Sequence, residues 1–179
     1  MTTEELEKCI QEYGTDVWKF CRQVTPNRIE AEDLYQETFL KAMEQIDKID
    51  SGRNPRSYLI SIALCLWKNK KRKYAWRNRI ADMRSYGEEA AWAREIFPEM
   101  EVGVMENEMI TREERRMVRQ AVAELKERYQ IPVLLYYMES FSIEEISGIL
   151  SIPRGTVKSR LHKARKLLEK ELEVYFREA

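Results

Sequence analysis

The sequence predicts an all-α protein of two small helical domains joined by a linker, the C-terminal domain being a helix-turn-helix. Three observations predict it. Only six Gly and five Pro punctuate 179 residues rich in Glu, Lys, Leu and Ala, a composition that makes helices with few turns. Apolar residues recur at spacings of three and four along most of the chain, the period of one helix face. From Asp82 to Glu114 the pattern lapses into ten acids and three bases, with Gly87, Pro98 and Gly103 among them. The expected boundaries are therefore 1–80 for the first domain, 81–111 for the linker and 112–179 for the second.

Thr2 or Thr3 can cap a first helix with an acidic opening turn, whose stripe is Leu6, Ile10, Tyr13, Val17, Phe20 and Val24. It should end near Thr25-Pro26. A second helix runs from about Arg28 to Ile46 and buries Ala31, Leu34 or Tyr35, Thr38, Phe39, Ala42 and Ile46. Its other side shows Asp33, Gln36, Glu37, Leu40 and Glu44. A leucine among acids on an exposed face is either a contact surface or an ordinary exposed leucine. The stretch DKIDSGRNP, from Asp47 to Pro55, is a polar loop.

Asn54 can cap a third helix that begins at Pro55 and turns Tyr58, Leu59, Ile62, Ala63, Leu66 and Trp67 inward. It leads into KNKKRKYAWRNR, Lys68 to Arg79, with seven basic residues, no acid, and Tyr74 and Trp76 interleaved. Cations for phosphates and flat rings for unstacked bases are what melting DNA requires, although a solvated basic helix end would look similar. The acidic segment beyond it reads as a linker.

From Thr111, two further helices are expected. Met117, Val118, Val122 and Leu125 line one; Val133, Leu134, Tyr136 and Tyr137 line the next, after Pro132. Ser142 and Glu145 then form a capping box, and Phe141 and Ile146 have the spacing of a hydrophobic staple. Ile143, Ile146, Ile149 and Leu150 give a short helix one buried stripe. Ser151 to Gly155 interrupts it, since Pro153 disfavours helical geometry at Ile152. In a second helix Val157, Leu161, Ala164, Leu168 and Leu172 form the seam. From Arg154 to Lys170 there are seven Lys or Arg against one acid, Glu169. The exposed face puts Lys158, Ser159, Arg160, His162 and Lys163 toward a major groove, with Arg154 and Thr156 nearer the backbone. The bland alternative is a solvated amphipathic helix pair that happens to be basic.

The formal net charge of zero hides segregation. Residues 1–53 hold seven bases and twelve acids, 54–79 eight bases and no acid, 80–152 eight and fifteen, and 153–179 eight and four. Basic blocks can track a polyanion while acidic blocks face a basic protein surface. Cys9, Cys21 and Cys65 have spacings that suit neither disulfides nor zinc, and one histidine, His162, adds no ligand set. They read as core or surface thiols in a reducing cytoplasm. MTTEELEKC carries no visible signal peptide, and the longest apolar run, Tyr58 to Trp67, is about half of a membrane span.

The run IEEISGILSIPRGTVKSRLHKARKLL, from Ile143, resembles the promoter-reading C-terminal domain of the extracytoplasmic-function (ECF) group of bacterial RNA polymerase sigma factors. AEDLYQETFLKA, from Ala31, followed by NPRSYLISIAL, from Asn54, is similar to the group's N-terminal domain. The resemblance implies that Asp33, Gln36, Glu37 and Leu40 bind the coiled-coil clamp helices of core polymerase. It implies that the loop holding Ser51, Gly52, Arg53 and Asn54 captures a flipped base of the −10 element. Lys68, Lys70, Lys71, Arg72, Lys73, Tyr74 and Trp76 would meet the melted −10 strand, and the second helix of the helix-turn-helix would meet the −35 element. Two departures stand out. Cys65 and Asn69 occupy positions where the group often has Asn and Asp, and Ser151 replaces a turn glycine.

The expected function is that of a sigma factor that binds core RNA polymerase and directs promoter-specific initiation. Promoter DNA and an anti-sigma protein are its further partners, and no cofactor, metal, small-molecule substrate, enzymatic activity or membrane insertion is expected. A polymerase-independent helix-turn-helix regulator would explain the C-terminal half but would leave the acidic second helix and the distant basic-aromatic block without a role.

Overall fold

The computed structural model describes residues 3–46, 54–82 and 112–178. Among them the regular structure is all helical and falls into two compact units. The first holds α1 (Thr3–Val24), α2 (Arg28–Glu44) and α3 (Pro55–Asp82). The second holds α4 (Arg112–Glu124), α5 (Glu127–Val133), a π-helical turn (Leu134–Met138), α6 (Ile143–Leu150) and α7 (Arg154–Glu178). The predicted loop residues 47–53, and 83–111 of the predicted linker, lie outside the described residues.

In the first unit each helix packs on the other two. Leu6, Val17, Phe20 and Val24 of α1 are buried as their stripe requires, together with Cys9 and Cys21. Burial of each large side chain contributes about 1.5–3 kcal/mol before entropy is counted. From α2 come Ala31, Leu34, Thr38, Phe39 and Ala42; the choice between Leu34 and Tyr35 resolves to Leu34. Tyr35 lies at the rim, edge-on to Trp18 and Phe39 at 5.7 and 4.9 Å between ring centroids. Helices α1 and α2 come close at Gly14, where an added Cβ would stand 3.0 Å from the Tyr35 hydroxyl. Thr38 is tolerated in the core because its hydroxyl donates to the Leu34 carbonyl at 2.7 Å. Helix α3 supplies Leu59, Ile60, Ile62, Ala63, Leu64 and Trp67.

Two polar contacts fix where α3 begins. The Arg56 guanidinium donates to the Asp16 carboxylate on α1 at 2.6 Å, and the Tyr58 hydroxyl donates to Gln45 at the end of α2, at 3.2 Å. Asn54 acts as the expected cap, its Oδ1 accepting from the Arg56 backbone N–H at 3.0 Å.

In the second unit α7 is the hub, packing against α4, α5 and α6. Val157, Leu161 and Ala164 are fully buried, and Leu168 and Leu172 half-buried. The capping box at Ser142 and Glu145 has both its hydrogen bonds, and Phe141 and Ile146 are buried as a staple requires. Two inward assignments need correction. Val118 is 42% exposed and Tyr137 51%, while Ala121 and Leu135 are buried instead. The cause near Tyr137 is local. Pro132 lies inside α5, with no N–H to offer the carbonyl of Arg128, and the helix then widens so that Glu139 N–H reaches the Leu134 carbonyl at 3.1 Å. The extra residue per turn rotates the side chains of that turn off the regular helical period.

The interruption in the helix-turn-helix spans Ser151 to Pro153, shorter than expected, and Gly155 is already helical. Ser151 adopts φ 52° and ψ 44°, the left-handed region. Its N–H reaches the Gly148 carbonyl at 3.2 Å, and the Ile152 N–H reaches that of Ser147 at 3.1 Å, the paired bonds of a Schellman cap. Left-handed geometry costs an L-residue about 1–2 kcal/mol. Ser151→Gly should therefore raise the stability of the second unit by about 0.5–1 kcal/mol, and Ser151→Val should lower it. Urea unfolding followed by circular dichroism measures both.

Candidate nucleic-acid and polymerase interface

Helix α7 buries one seam and so must expose the opposite side. Lys158, Ser159, His162 and Lys163 are exposed there, with Thr156 and Arg160 half-buried at its edges. Spacings of three and four put Lys158, Ser159, His162 and Lys163 on one surface, and Lys166 continues it a turn further. Lys166 and the neighbouring exposed Arg165 follow the same period, the signal that would have added them to the expected set. The Ser159 hydroxyl donates to the Thr156 carbonyl at 3.0 Å. Arg154 is exposed and ion-paired with Glu144 of α6, so this cation already has an anionic partner within the chain.

In the first unit, α3 divides the basic block into faces. Cys65, Asn69, Arg72 and Trp76 succeed one another at spacings of four, three and four; Lys70, Tyr74 and Arg77 form another line. Tyr74 and Trp76 are 61% and 66% exposed, whereas Trp67 in the same helix is 6% exposed. The first two rings are therefore open to stack on an unpaired base, and Trp67 is core. Lys71 lies over the Trp67 ring, 5.0 Å from its centroid, and Arg72 donates to Asn69. Lys73 is exposed, and Lys68 is half-buried. Ser51, Gly52 and Arg53 lie outside the described residues; Asn54 adjoins them with its Oδ1 committed to capping.

Helix α2 exposes Asp33, Gln36, Glu37 and Leu40 on the side away from its core. The face is longer than expected. Ile29, Leu40 and Met43 are 73%, 61% and 52% exposed and share a line with Asp33 and Gln36, at spacings of four, three, four and three. This is the 3.5-residue repeat of a coiled-coil seam. Glu30, Glu37 and Glu44 run beside it at seven-residue intervals. Ile29 and Met43 are absent from the expected outward set; continuing its spacing of three and four from Asp33 and from Leu40 is the signal that finds them. Glu30 accepts from Asn27, Glu44 pairs with Lys41 at 2.7 Å, and Glu37 pairs across to Lys70 of α3 at 3.1 Å.

Among the described residues, no group of three His, Cys, Asp or Glu is placed to hold a metal, and no helix is long and apolar enough to cross a membrane.

Each of the two units falls within a known family. The family model for Sigma-70 region 2 matches residues 9–77, and that for Sigma-70 region 4 matches residues 115–168. The ECF RNA polymerase sigma factor SigW of Bacillus subtilis is 32% identical over 162 residues, 89% of this chain and 84% of that protein. The chain belongs to the ECF group of RNA polymerase sigma factors. Another ECF sigma factor, SigL of Mycobacterium tuberculosis, is 27% identical over 90% of this one and 85% of its own length. In fold, this sigma factor is similar to RpoE of Bartonella quintana, solved with the anti-sigma factor NepR. The TM-score is 0.75 at 21% identity, covering 96% of this chain and 99% of the other. CnrH, solved with the cytosolic domain of CnrY, gives a TM-score of 0.64 at 18% identity, covering 97% and 90%. The α2 seam and the described α3 basic residues up to Arg77 lie in the region 2 match of the sigma factor, and Arg154 to Lys163 in its region 4 match.

The three thiols differ in access. Cys9 and Cys21 are buried and Cys65 is exposed on the Trp76 line of α3, 3.9 Å from the Asn69 amide. Burial, then the carboxylates of Glu12 and Glu5, push the Cys9 thiol above its ordinary pKa. A disulfide-exchange reagent at neutral pH should titrate one thiol quickly, mapped to Cys65 by peptide mass, and the other two only after denaturation.

Proposed function

We propose that this sigma factor docks on core RNA polymerase through the α2 seam, reads the −35 element with the exposed face of α7, and engages the melting −10 strand with the end of α3. The observation that carries the reading is the separation of chemistry by helix. An apolar seam beside a column of Glu suits a basic helical protein surface and repels phosphate. Two outward cationic helices, one of them bearing open aromatic rings, suit duplex and unpaired DNA respectively. In this reading residues 1–80 bind polymerase and the −10 element, 81–111 link, and 112–179 bind the −35 element. Ser51, Gly52, Arg53 and Asn54 border the −10 site. The protein acts in the cytoplasm, has no catalytic step of its own, and is held by an anti-sigma protein when idle.

Run-off transcription with purified core polymerase and promoter fragments tests the whole reading. Core without this chain should be silent at those promoters, and adding the chain should start transcripts at fixed positions. Specific binding to promoters with no effect on core would favour a polymerase-independent regulator.

Leu40→Asp should abolish core binding in a pull-down with helical content unchanged, and Ile29→Asp or Met43→Asp should weaken it. A folded Leu40→Asp protein that still binds core would exclude the seam.

On α7, replacing a residue that reads a base should cost about 1–3 kcal/mol and relax preference at one position, whereas losing a phosphate contact weakens all sequences alike and lowers the salt slope by about one. Lys158→Ala and Lys163→Ala, titrated as holoenzyme against −35 variants at several salt concentrations, sort the two roles. Unchanged affinity and selection in both variants would move the −35 contact elsewhere.

A further inference from the structure

Glu37 and Lys70 belong to two surfaces with different partners, yet they hold each other. Their side chains meet at 3.1 Å between helices that are 33 positions apart at this point, and both are about half exposed. Glu30 and Glu44, the other members of the acidic column, have partners on or next to α2 itself. Glu37 alone of the three is shown reaching into the basic block of α3. Lys70 in turn heads the line that continues through Tyr74 and Arg77.

We propose that the Glu37–Lys70 pair is a release contact, by which a basic helix seated on the α2 seam frees Lys70 for a DNA phosphate. This rests on the seam binding polymerase and the α3 block binding the −10 strand. While the pair is closed, the carboxylate offsets the field of the ammonium, and a phosphate approaching Lys70 meets a neighbouring negative charge. A Lys or Arg of the docked partner opposite Glu37 competes for that carboxylate. With Glu37 so engaged, Lys70 turns to the nucleic acid. The coupling is reciprocal: DNA that takes Lys70 leaves Glu37 open to the partner, so each ligand tightens the other by the same factor. For an exposed pair that factor is about two- to fivefold.

The test is fluorescence anisotropy of the full chain on a single-stranded −10 oligonucleotide at one salt concentration. The proteins are wild type, Glu37→Gln, Lys70→Met, the double variant, and Glu7→Gln as an exposed acid on α1. As free protein, Glu37→Gln should bind about two- to fivefold tighter than wild type. The double variant should bind no tighter than Lys70→Met, and Glu7→Gln should match wild type. At saturating core polymerase the gain from Glu37→Gln should vanish, because the partner already occupies that carboxylate. A gain that survives in the Lys70→Met background, is matched by Glu7→Gln, persists on core, or is absent from the start overturns the release contact. Failure of the seam itself reads out separately, as core binding retained by Leu40→Asp.

Discussion

Burial of Val157, Leu161 and Ala164 is the contact on which the exposed basic face of α7 depends. These side chains hold α7 against three other helices, and because a helix has one inside, they determine which side chains lie outside. Lys158, Ser159, His162 and Lys163 are aimed by a seam they do not touch. The left-handed Ser151 sets the angle at which α7 leaves α6, so the aim is fixed by a turn of three residues and a seam of three.

The first unit solves a similar problem with smaller side chains. Ala31, Ala42 and Thr38 let α2 lie close to its neighbours, and Gly14 lets α1 approach Tyr35. Its core is thus reached without using the large apolar residues Ile29, Leu40 and Met43, which remain on the outside. Among the described residues nothing covers them, so this otherwise acidic helix has apolar character on both sides.

Much of this is legible in the sequence where the determinants are local. The capping box, the staple, the helix start at Pro55 and the division of charge depend on residues a few positions apart. Readings that assume an uninterrupted 3.6-residue period fail where the period changes. A regular helix would place Tyr137 inward, but Pro132 and the π-helical turn shift it outward. The choice between Leu34 and Tyr35 needs the opposing surface of α1, with Gly14 and Trp18, to be settled. Contacts between distant positions leave no signal at all: nothing in the chain says that Glu37 meets Lys70, or Arg154 Glu144.

The seven-residue repeat on the outside of α2 has a further consequence, for alignment. A partner helix displaced along a purely apolar seam by one repeat, roughly 10 Å, would meet nearly the same chemistry and bind in several registers. Asp33 and Gln36 interrupt the apolar line between Ile29 and Leu40, so a slipped partner would press an apolar side chain onto a carboxylate or an amide. The polar pair in the middle of the seam would thus hold any helix laid along it to a single register.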